Sequence, residues 1–134
     1  MEVNNEETIK NIYSPSPSGF VEPKTAAFTG FTSTGGNTSN SSQFNVSGSY
    51  NRGWHFYTNG WKAGGTIFFD SFGFRYLYSG TYGTVAYDGD IGYCWTVGAY
   101  STSRGRNLAF LPNTVNAQDN DCRSAALTCR SVKE

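Results

Sequence analysis

Short alternations of apolar and polar residues, separated by glycine or asparagine, fill the chain from residue 44 onward. Trp54 and Phe56, for example, alternate with His55 and Tyr57. A period of two is typical of a strand that buries one of its faces. The alternation predicts five short strands, which cover residues 54–57, 66–69, 93–97, 107–111 and 126–132.

A different spacing precedes these strands. Between residues 24 and 32, Phe28 and Phe31 are three positions apart, Pro23 stands near the first turn, and a glycine stands close to the end. Proline is favoured at the start of a helix and glycine near its end. The pattern predicts a helix over residues 24–32 that packs Phe28 and Phe31 onto the sheet carrying Trp95.

The remaining N-terminal sequence is compatible with one more helix. Residues 5–12 suit either a short helical turn or a strand, and the prolines of residues 14–19 then require a turn. One or two helices therefore precede a series of strands, an order that predicts an α+β fold with short, mostly antiparallel strands and long loops. We expect residues 1–12 to form an N-terminal arm and residues 13–134 a single domain.

Residues 33–43 contain no large apolar side chain that could anchor them in a core. We expect an exposed loop here. Asn-x-Ser/Thr triplets at Asn37, Asn40 and Asn45 agree with exposure of this region. Such triplets are also frequent by chance in a segment so rich in asparagine and serine.

Composition limits the classes of function. The 134 residues carry ten basic and ten acidic side chains. We expect no nucleic-acid partner, because binding to phosphates needs clustered Lys and Arg. We expect no membrane insertion, because no apolar run approaches the roughly 18 residues of a membrane-spanning helix. The abundant Tyr, Ser and Asn suit a binding surface of rings and adaptable hydrogen bonds, and they equally suit the turns of a loop-rich protein.

Catalytic chemistry has few candidates in this sequence. His55 is the only histidine, and the three cysteines stand in no hydrolase or zinc-binding motif. Cys94 and Cys122 are either free or paired, and Cys129 is expected to be a small buried hydrophobe. A nucleophile and a base must lie within reach of each other, and no motif here predicts such a pair. We therefore expect a protein that is not an enzyme and has no cofactor.

Two Asp-x-Asp pairs lie in predicted loops, Asp88 with Asp90 and Asp119 with Asp121. Calcium takes oxygen ligands from loops of this kind. Neither pair is followed by the glycine and the bidentate glutamate of an EF-hand loop. We interpret these aspartates as solvated turn residues and predict no metal site.

Five motifs follow one another along the chain, beginning with Tyr-Ser-Pro-Ser-Pro-Ser-Gly-Phe-Val-Glu-Pro at residues 13–23. The others are Phe-Phe-Asp-Ser-Phe-Gly-Phe-Arg at 68–75, Gly-Tyr-Cys-Trp-Thr at 92–96, Asn-Leu-Ala-Phe at 107–110 and Ala-Leu-Thr-Cys-Arg-Ser-Val at 126–132. This succession resembles the Fibrobacter-type major paralogous domain of Bacteroidetes surface proteins. The resemblance implies a C-type-lectin-like fold.

The departures from that family concern cysteine. The family's cysteines in the entry motif and in the last strand imply a disulfide, and those positions hold Ser16 and Ser131 here. Residues 76–124 are also similar, in their Tyr, Ser, Asp and Cys content, to proteins varied by diversity-generating retroelements in gut bacteria and their phages.

We interpret the chain as a non-catalytic extracellular recognition domain whose loops, at residues 76–90, 98–106 and 113–124, bind a protein or glycan. Tyrosine and arginine offer large contact areas at low entropic cost. The predicted ligand contacts are therefore Tyr76, Tyr78, Tyr82, Tyr87, Tyr100 and Arg104. The predicted core consists of Trp54, Phe56, Ile67, Phe68, Tyr93, Trp95, Leu108, Phe110, Leu127 and Val132.

Three settings are compatible with this interpretation. The first is an adhesin that binds a protein or glycan on another cell surface. The second is a receptor-binding protein of a phage tail or a retroelement-diversified variable protein, for which a homo-oligomer, a trimer in a phage, is expected. The third is a structural module of a surface polymer without a ligand.

Overall fold

The computed structural model describes residues 16–75, 85–122, 127 and 130–133. Its strands, numbered along the chain, are β1 (Phe20–Val21), β2 (Asn37–Thr38), β3 (Val46–Ser47), β4 (Gly53–Tyr57), β5 (Thr66–Asp70), β6 (Phe74–Arg75), β7 (Val85–Ala86), β8 (Gly92–Ala99), β9 (Arg104–Leu111), β10 (Thr114–Cys122) and β11 (Val132–Lys133). Two 3-10 helices, Thr29–Phe31 and Ser41–Gln43, complete the regular structure of these ranges.

The strands form four sheets in which every pair is antiparallel. The largest has the order β2–β10–β9–β8, the second has the order β3–β4–β5, and β1–β11 and β6–β7 are two-stranded. The predicted strands at 54–57, 66–69, 93–97 and 107–111 are confirmed as β4, β5, β8 and β9. Part of the predicted strand at 126–132 lies outside the described residues, and Val132 begins β11.

The predicted α+β, C-type-lectin-like fold with one or two N-terminal helices is wrong, because the structure is all-β. In the predicted helix at 24–32, turns lead into a single 3-10 turn, and no helix in the described ranges reaches seven residues. Thr25, Thr29 and Gly30 interrupt the apolar spacing with residues of low helix propensity. So short a segment does not offset the cost of nucleating a helix. The other candidate, residues 5–12, lies outside the described residues.

Burial of Phe28 and Phe31 was nevertheless predicted correctly. Phe31 stacks on Phe56 with ring centroids 4.1 Å apart, and Phe28 meets Phe69 edge to face at 6.0 Å. These partners belong to the β3–β4–β5 sheet rather than to the sheet that carries Trp95. The turn therefore does the packing that the helix was expected to do.

The hydrophobic core lies between the two larger sheets. Phe56 and Phe69 from β4 and β5 meet Phe110 of β9 edge to face, with centroids 5.5 and 6.4 Å apart. The core cluster consists of Phe28, Phe31, Phe44, Trp54, Phe56, Phe69, Cys94, Leu108, Phe110 and Val115. T-shaped ring contacts of this kind add to the stability gained by burying the rings.

Several predicted core residues lie elsewhere. Trp54, Phe56, Leu108 and Phe110 are buried, Tyr93, Trp95 and Leu127 are half-buried, and Ile67, Phe68 and Val132 are exposed. Phe68 is directly opposite His55, on the outer face of the sheet. Its ring covers Gly53, where any Cβ would come within 2.1 Å of the Phe69 carbonyl oxygen. Because Gly53 has no side chain, the Phe68 ring can lie over the strand backbone at this position of the outer face.

All four predicted loops contain strand residues: β7 lies within 76–90, and 98–106 includes the end of β8 and the start of β9. Residues 113–124 were expected to be a ligand-binding loop, but β10 occupies 114–122 and pairs with both β9 and β2. Val115 and Ala117 face the core while their polar neighbours face outward, so the strand pattern is present but carries small side chains. The exposed loop at 33–43 likewise contains β2 and a 3-10 turn, although most of its side chains are exposed.

The two ends of the described chain meet. β1 pairs with β11, and the Ser16 and Ser131 hydroxyls are 2.8 Å apart. The positions at which the family resemblance implied a disulfide are therefore neighbours in space. Cys94, which is buried, and Cys122, which is half-buried, are not joined to each other by a disulfide.

Replacement of Phe28 with alanine should lower the free energy of unfolding by about 3 to 5 kcal/mol, because the ring is buried. Phe72→Ala, which removes a ring that is 56% exposed, is the matched control and should cost less than about 0.5 kcal/mol. Urea denaturation measures both. Equal and small effects would show that Phe28 lies outside the core.

The double variant Ser16→Cys, Ser131→Cys should form a disulfide on oxidation, because the two hydroxyl oxygens are already in contact. In the chain-entropy model, closing so long a loop adds about 4 kcal/mol of stability. The measurements are peptide mapping for the bond and melting curves with and without reductant. If peptide mapping finds the disulfide but the melting temperature is the same with and without reductant, the expected entropic gain is contradicted.

Candidate functional site

Three of the six predicted ligand contacts lie within the described residues. Tyr76, Tyr78 and Tyr82 lie outside the described residues, while Tyr87, Tyr100 and Arg104 lie within them. Tyr87 is exposed, has a positive φ of 59°, and stacks on Phe74. Positive φ is uncommon for a bulky residue and marks a locally constrained backbone.

The other two described contacts lie together at the β8–β9 turn. The Arg104 carbonyl accepts a hydrogen bond from the Tyr100 backbone N–H at 3.0 Å. The Arg104 guanidinium donates to the Asn120 side chain at 2.7 Å. The Tyr100 ring is 48% exposed and lies 4.6 Å from the Arg106 guanidinium. These side chains therefore present a tyrosine and two arginines at one end of β8.

Tyr87 does not share that surface. Its stacking partner Phe74 contacts Tyr93 near the start of β8, whereas Tyr100 follows the last residue of the strand. A strand of this length separates the two ends by roughly 20 Å. The described tyrosines therefore do not form one site.

The structure instead contains an open cleft of about 730 Å³ between four segments. They are the turn at residues 27–33, the β4–β5 connection at residues 58–61, the inner face of β5, and residues 130–132. The buried rings of Phe28, Phe31 and Phe69 also line it, and they form its floor. Volumes from about 300 to 1,000 Å³ are typical of ligand sites.

Asn45 holds two walls of this cleft. Its amide nitrogen donates to the carbonyls of Gly30, at 2.8 Å, and Gly60, at 2.9 Å, and its amide oxygen accepts from the Lys62 backbone N–H at 2.8 Å. The side chain is only 2% exposed. The Asn-x-Ser triplet at this residue therefore did not indicate exposure, because its asparagine is a buried structural residue.

The rim of the cleft leaves large apolar side chains in solvent. Trp61 in the β4–β5 connection is 47% exposed, and Ile67 of β5 and Val132 of β11 are also exposed. Ile67 lies directly opposite the buried Phe56 on the same face of the sheet. The exposed rim is therefore continuous with the buried face of the β3–β4–β5 sheet.

Arg130 provides the charge of the site. Its guanidinium lies 4.6 Å from the Phe69 ring, and it donates from Nη1 to the Phe68 carbonyl at 2.9 Å. Both contacts are to β5, so the side chain is fixed against one wall. Lys62 adds a second cation near the rim, 5.4 Å from the Trp61 ring.

Among the described residues, the groups considered for catalysis and metal binding lie outside the cleft, and Cys129 falls outside the described residues. His55 is exposed on the outer face of β4 and contacts Phe68. Asp88 pairs with Arg52 at 2.9 Å, and Asp119 accepts a hydrogen bond from Asn116. Across the described ranges, no three His, Cys, Asp or Glu side chains group as metal ligands.

One phenol near the core has a shifted pKa. Burial raises the pKa of Tyr50, and coulombic repulsion from Asp90 and Asp70 acts in the same direction, against the hydrogen bond with Ser71. The Tyr50 hydroxyl donates to the Asp90 carbonyl at 2.7 Å. The group stays protonated at neutral pH and joins two loops, which is a structural role.

Sequence reasoning missed Trp61, Arg130 and Asn45. Trp61 stands among Asn, Gly and Lys in the run Asn-Gly-Trp-Lys-Ala-Gly-Gly. A large ring in a segment that belongs to no alternating run is the signal that could have marked it. Arg130 and Asn45 acquire their roles only through contacts with distant residues, so the sequence carries no comparable sign of them.

Comparison with protein-family models, with curated proteins and with solved structures finds no match to this chain. The resemblance to the Fibrobacter-type domain stays a prediction from its motifs. In the ranges that the structure describes, no helix has the length and apolar character needed to cross a bilayer.

Replacement of Asn45 with alanine should cost about 3 kcal/mol, because the buried side chain makes hydrogen bonds to the backbone of residues 30, 60 and 62 that contribute about 1 kcal/mol each. The melting temperature should fall by about 10 °C. Asn51→Ala, which removes an exposed amide, is the control and should change stability by less than about 0.5 kcal/mol. Calorimetry compares them, and similar melting temperatures would contradict the role assigned to Asn45.

Proposed function

We propose that this chain is a non-catalytic, extracellular recognition domain that binds a protein or glycan ligand in the cleft beside Asn45. The observation that carries the proposal is the exposure of Trp61, Ile67 and Val132 around one concave site. Apolar side chains held in water cost free energy that a bound ligand recovers. A preformed cleft with an aromatic floor is the usual form of a ligand site.

The residues that line the cleft support a binding role. In the described lining, none is histidine, cysteine, aspartate or glutamate. General acid–base catalysis most often uses such groups, and a serine or threonine hydroxyl needs a neighbouring base before it acts as a nucleophile. The lining supplies apolar area, a few hydroxyls and one guanidinium, which suit recognition.

A place outside the cell, on a bacterial surface or a phage virion, is part of the proposal. It draws on the motif resemblance to surface proteins and on the abundance of Tyr, Ser and Asn. A cleft with this lining suits an adhesin better than a module without a ligand, since a spacer gains nothing from exposed rings.

The β8–β9 turn is a second candidate surface. Tyr100 and Arg104 lie there together, and the half-exposed ring beside Arg106 resembles the aromatic and arginine anchors of protein interfaces. We propose it as the alternative binding site. The two surfaces are separable because each has a ring of nearly equal exposure, Trp61 at 47% and Tyr100 at 48%.

Trp61→Ala should weaken binding by about tenfold or more, because a large ring at a ligand site contributes most of its contact area to the complex. Its melting temperature should change little, since the ring is half exposed. The measurement is binding of the fluorescently labelled protein to a glycan microarray and to bacterial cells, beside Tyr100→Ala as the matched variant. Loss of binding in Tyr100→Ala alone would move the site to the β8–β9 turn, and unchanged binding in both would contradict both surfaces.

A further inference from the structure

The polar groups of the cleft determine which ligand it can take. Asn45 uses its amide on the backbone of residues 30, 60 and 62, Thr32 donates its hydroxyl to the Gly36 carbonyl, and Ser131 bonds with Ser16. A sugar needs several directed hydrogen bonds to its hydroxyls, and planar amides and carboxylates usually make them. Here the amide is already occupied, and no carboxylate stands among the described lining residues.

The apolar part of the cleft is large by comparison. Phe28, Phe31 and Phe69 form the floor, and Trp61 and Ile67 extend it into solvent. Large aromatic and aliphatic side chains are the groups that anchor protein partners in such sites. The floor thus offers an apolar side chain a large contact area, while the polar groups that would order a sugar's hydroxyls are the occupied Asn45 amide and a few hydroxyls.

The charge of the cleft has one sign. Arg130 lies within it, Lys62 lies beside Trp61, and among the described residues neither forms an ion pair with a carboxylate. Among the described residues, the Arg130 guanidinium donates to a single carbonyl, at Phe68, and a guanidinium has five N–H donors. It keeps donors for a carboxylate, and its contact with the Phe69 ring fixes it beside the apolar floor.

We infer that the cleft binds a segment of a partner protein in which a large apolar side chain stands next to a carboxylate, with the side chain on the aromatic floor and the carboxylate on Arg130. The inference rests on the proposed recognition function and names its ligand as protein rather than glycan. Trp61 supplies apolar contact, and Arg130 selects the anion.

The test uses three small probes and the full chain. The first two are the capped dipeptides acetyl-Phe-Glu-amide and acetyl-Phe-Gln-amide, which differ in one carboxylate. The third is glucuronic acid, a sugar that carries a carboxylate. Binding is followed by the shift of the Trp61 indole N–H signal in ¹H–¹⁵N spectra, which Trp61→Ala assigns by removing it.

The Glu peptide should bind about tenfold or more tightly than the Gln peptide, because only its side chain forms a charge-assisted bond with Arg130. Arg130→Gln should abolish this difference while the Gln peptide keeps its affinity within about twofold, and Arg130→Lys should restore part of the difference. Arg52→Gln removes the same charge from an exposed ion pair with Asp88 that lies outside the cleft, and it should leave the difference intact. Melting curves check that each variant is folded.

Other outcomes overturn the inference. Equal binding of the two peptides would remove the role of Arg130, and glucuronic acid that binds more tightly than the Glu peptide would restore a glycan ligand. Failure of all three probes would also contradict it. If Trp61→Ala still loses binding to cells or glycans in that case, the proposed function stands without this inference; if it does not, both fail.

Discussion

The hydrogen bonds of the buried Asn45 side chain to two irregular backbone segments are the interaction on which the rest of this structure depends. The turn at residues 27–33 and the β4–β5 connection are irregular, so the carbonyls of Gly30 and Gly60 and the Lys62 N–H bond to a side chain rather than to a strand. A hydrogen bond of this kind contributes about 1 kcal/mol of stability. One amide side chain supplies two donors and an acceptor in a compact form, and Asn45 uses both kinds. Aspartate could not donate, and glutamine would be too long for the same geometry.

This arrangement has a direct consequence for the site. Residue 45 lies between the two segments, because its backbone bonds to the Phe31 carbonyl and the Tyr57 N–H while its side chain bonds to Gly30 and Gly60. The inner face of β5 is left partly uncovered beside them. Phe56 and Ile67 mark the edge of the buried area on this face of the sheet. They are directly opposite each other, and only Phe56 is buried. The cleft thus lies where the inner face of the β3–β4–β5 sheet passes from buried to exposed.

The sequence predicted what depends on local periodicity. β4, β5, β8 and β9 follow from the alternation, and the burial of Phe28 and Phe31 follows from their apolar character. It failed where contacts between distant residues decide the outcome. The segment at 24–32 has helical spacing, but its rings are buried by Phe56 and Phe69, so tertiary packing removed any need for a helix.

The same limit explains the site. The polar residues of β10 suggested a loop because its apolar face consists of Val115 and Ala117, which are too small to dominate the pattern. The tyrosine-based surface was inferred from composition, which gives residue types but no distances. Tyr87 and Tyr100 therefore appeared to belong together although β8 separates them.

Composition alone also does not distinguish one arginine from another, whereas their contacts in the structure do. Arg104 and Arg106 lie in β9, where they donate to Asn120 and to the Gln118 carbonyl of β10, so both are part of the sheet. Arg130 lines the open cleft, and among the described residues its guanidinium donates only to the Phe68 carbonyl. A guanidinium already fixed by that bond and by the Phe69 ring loses little rotamer freedom when an anion binds. Preorganisation of this kind makes Arg130, and not the arginines of β9, the side chain best placed to select a ligand by its charge.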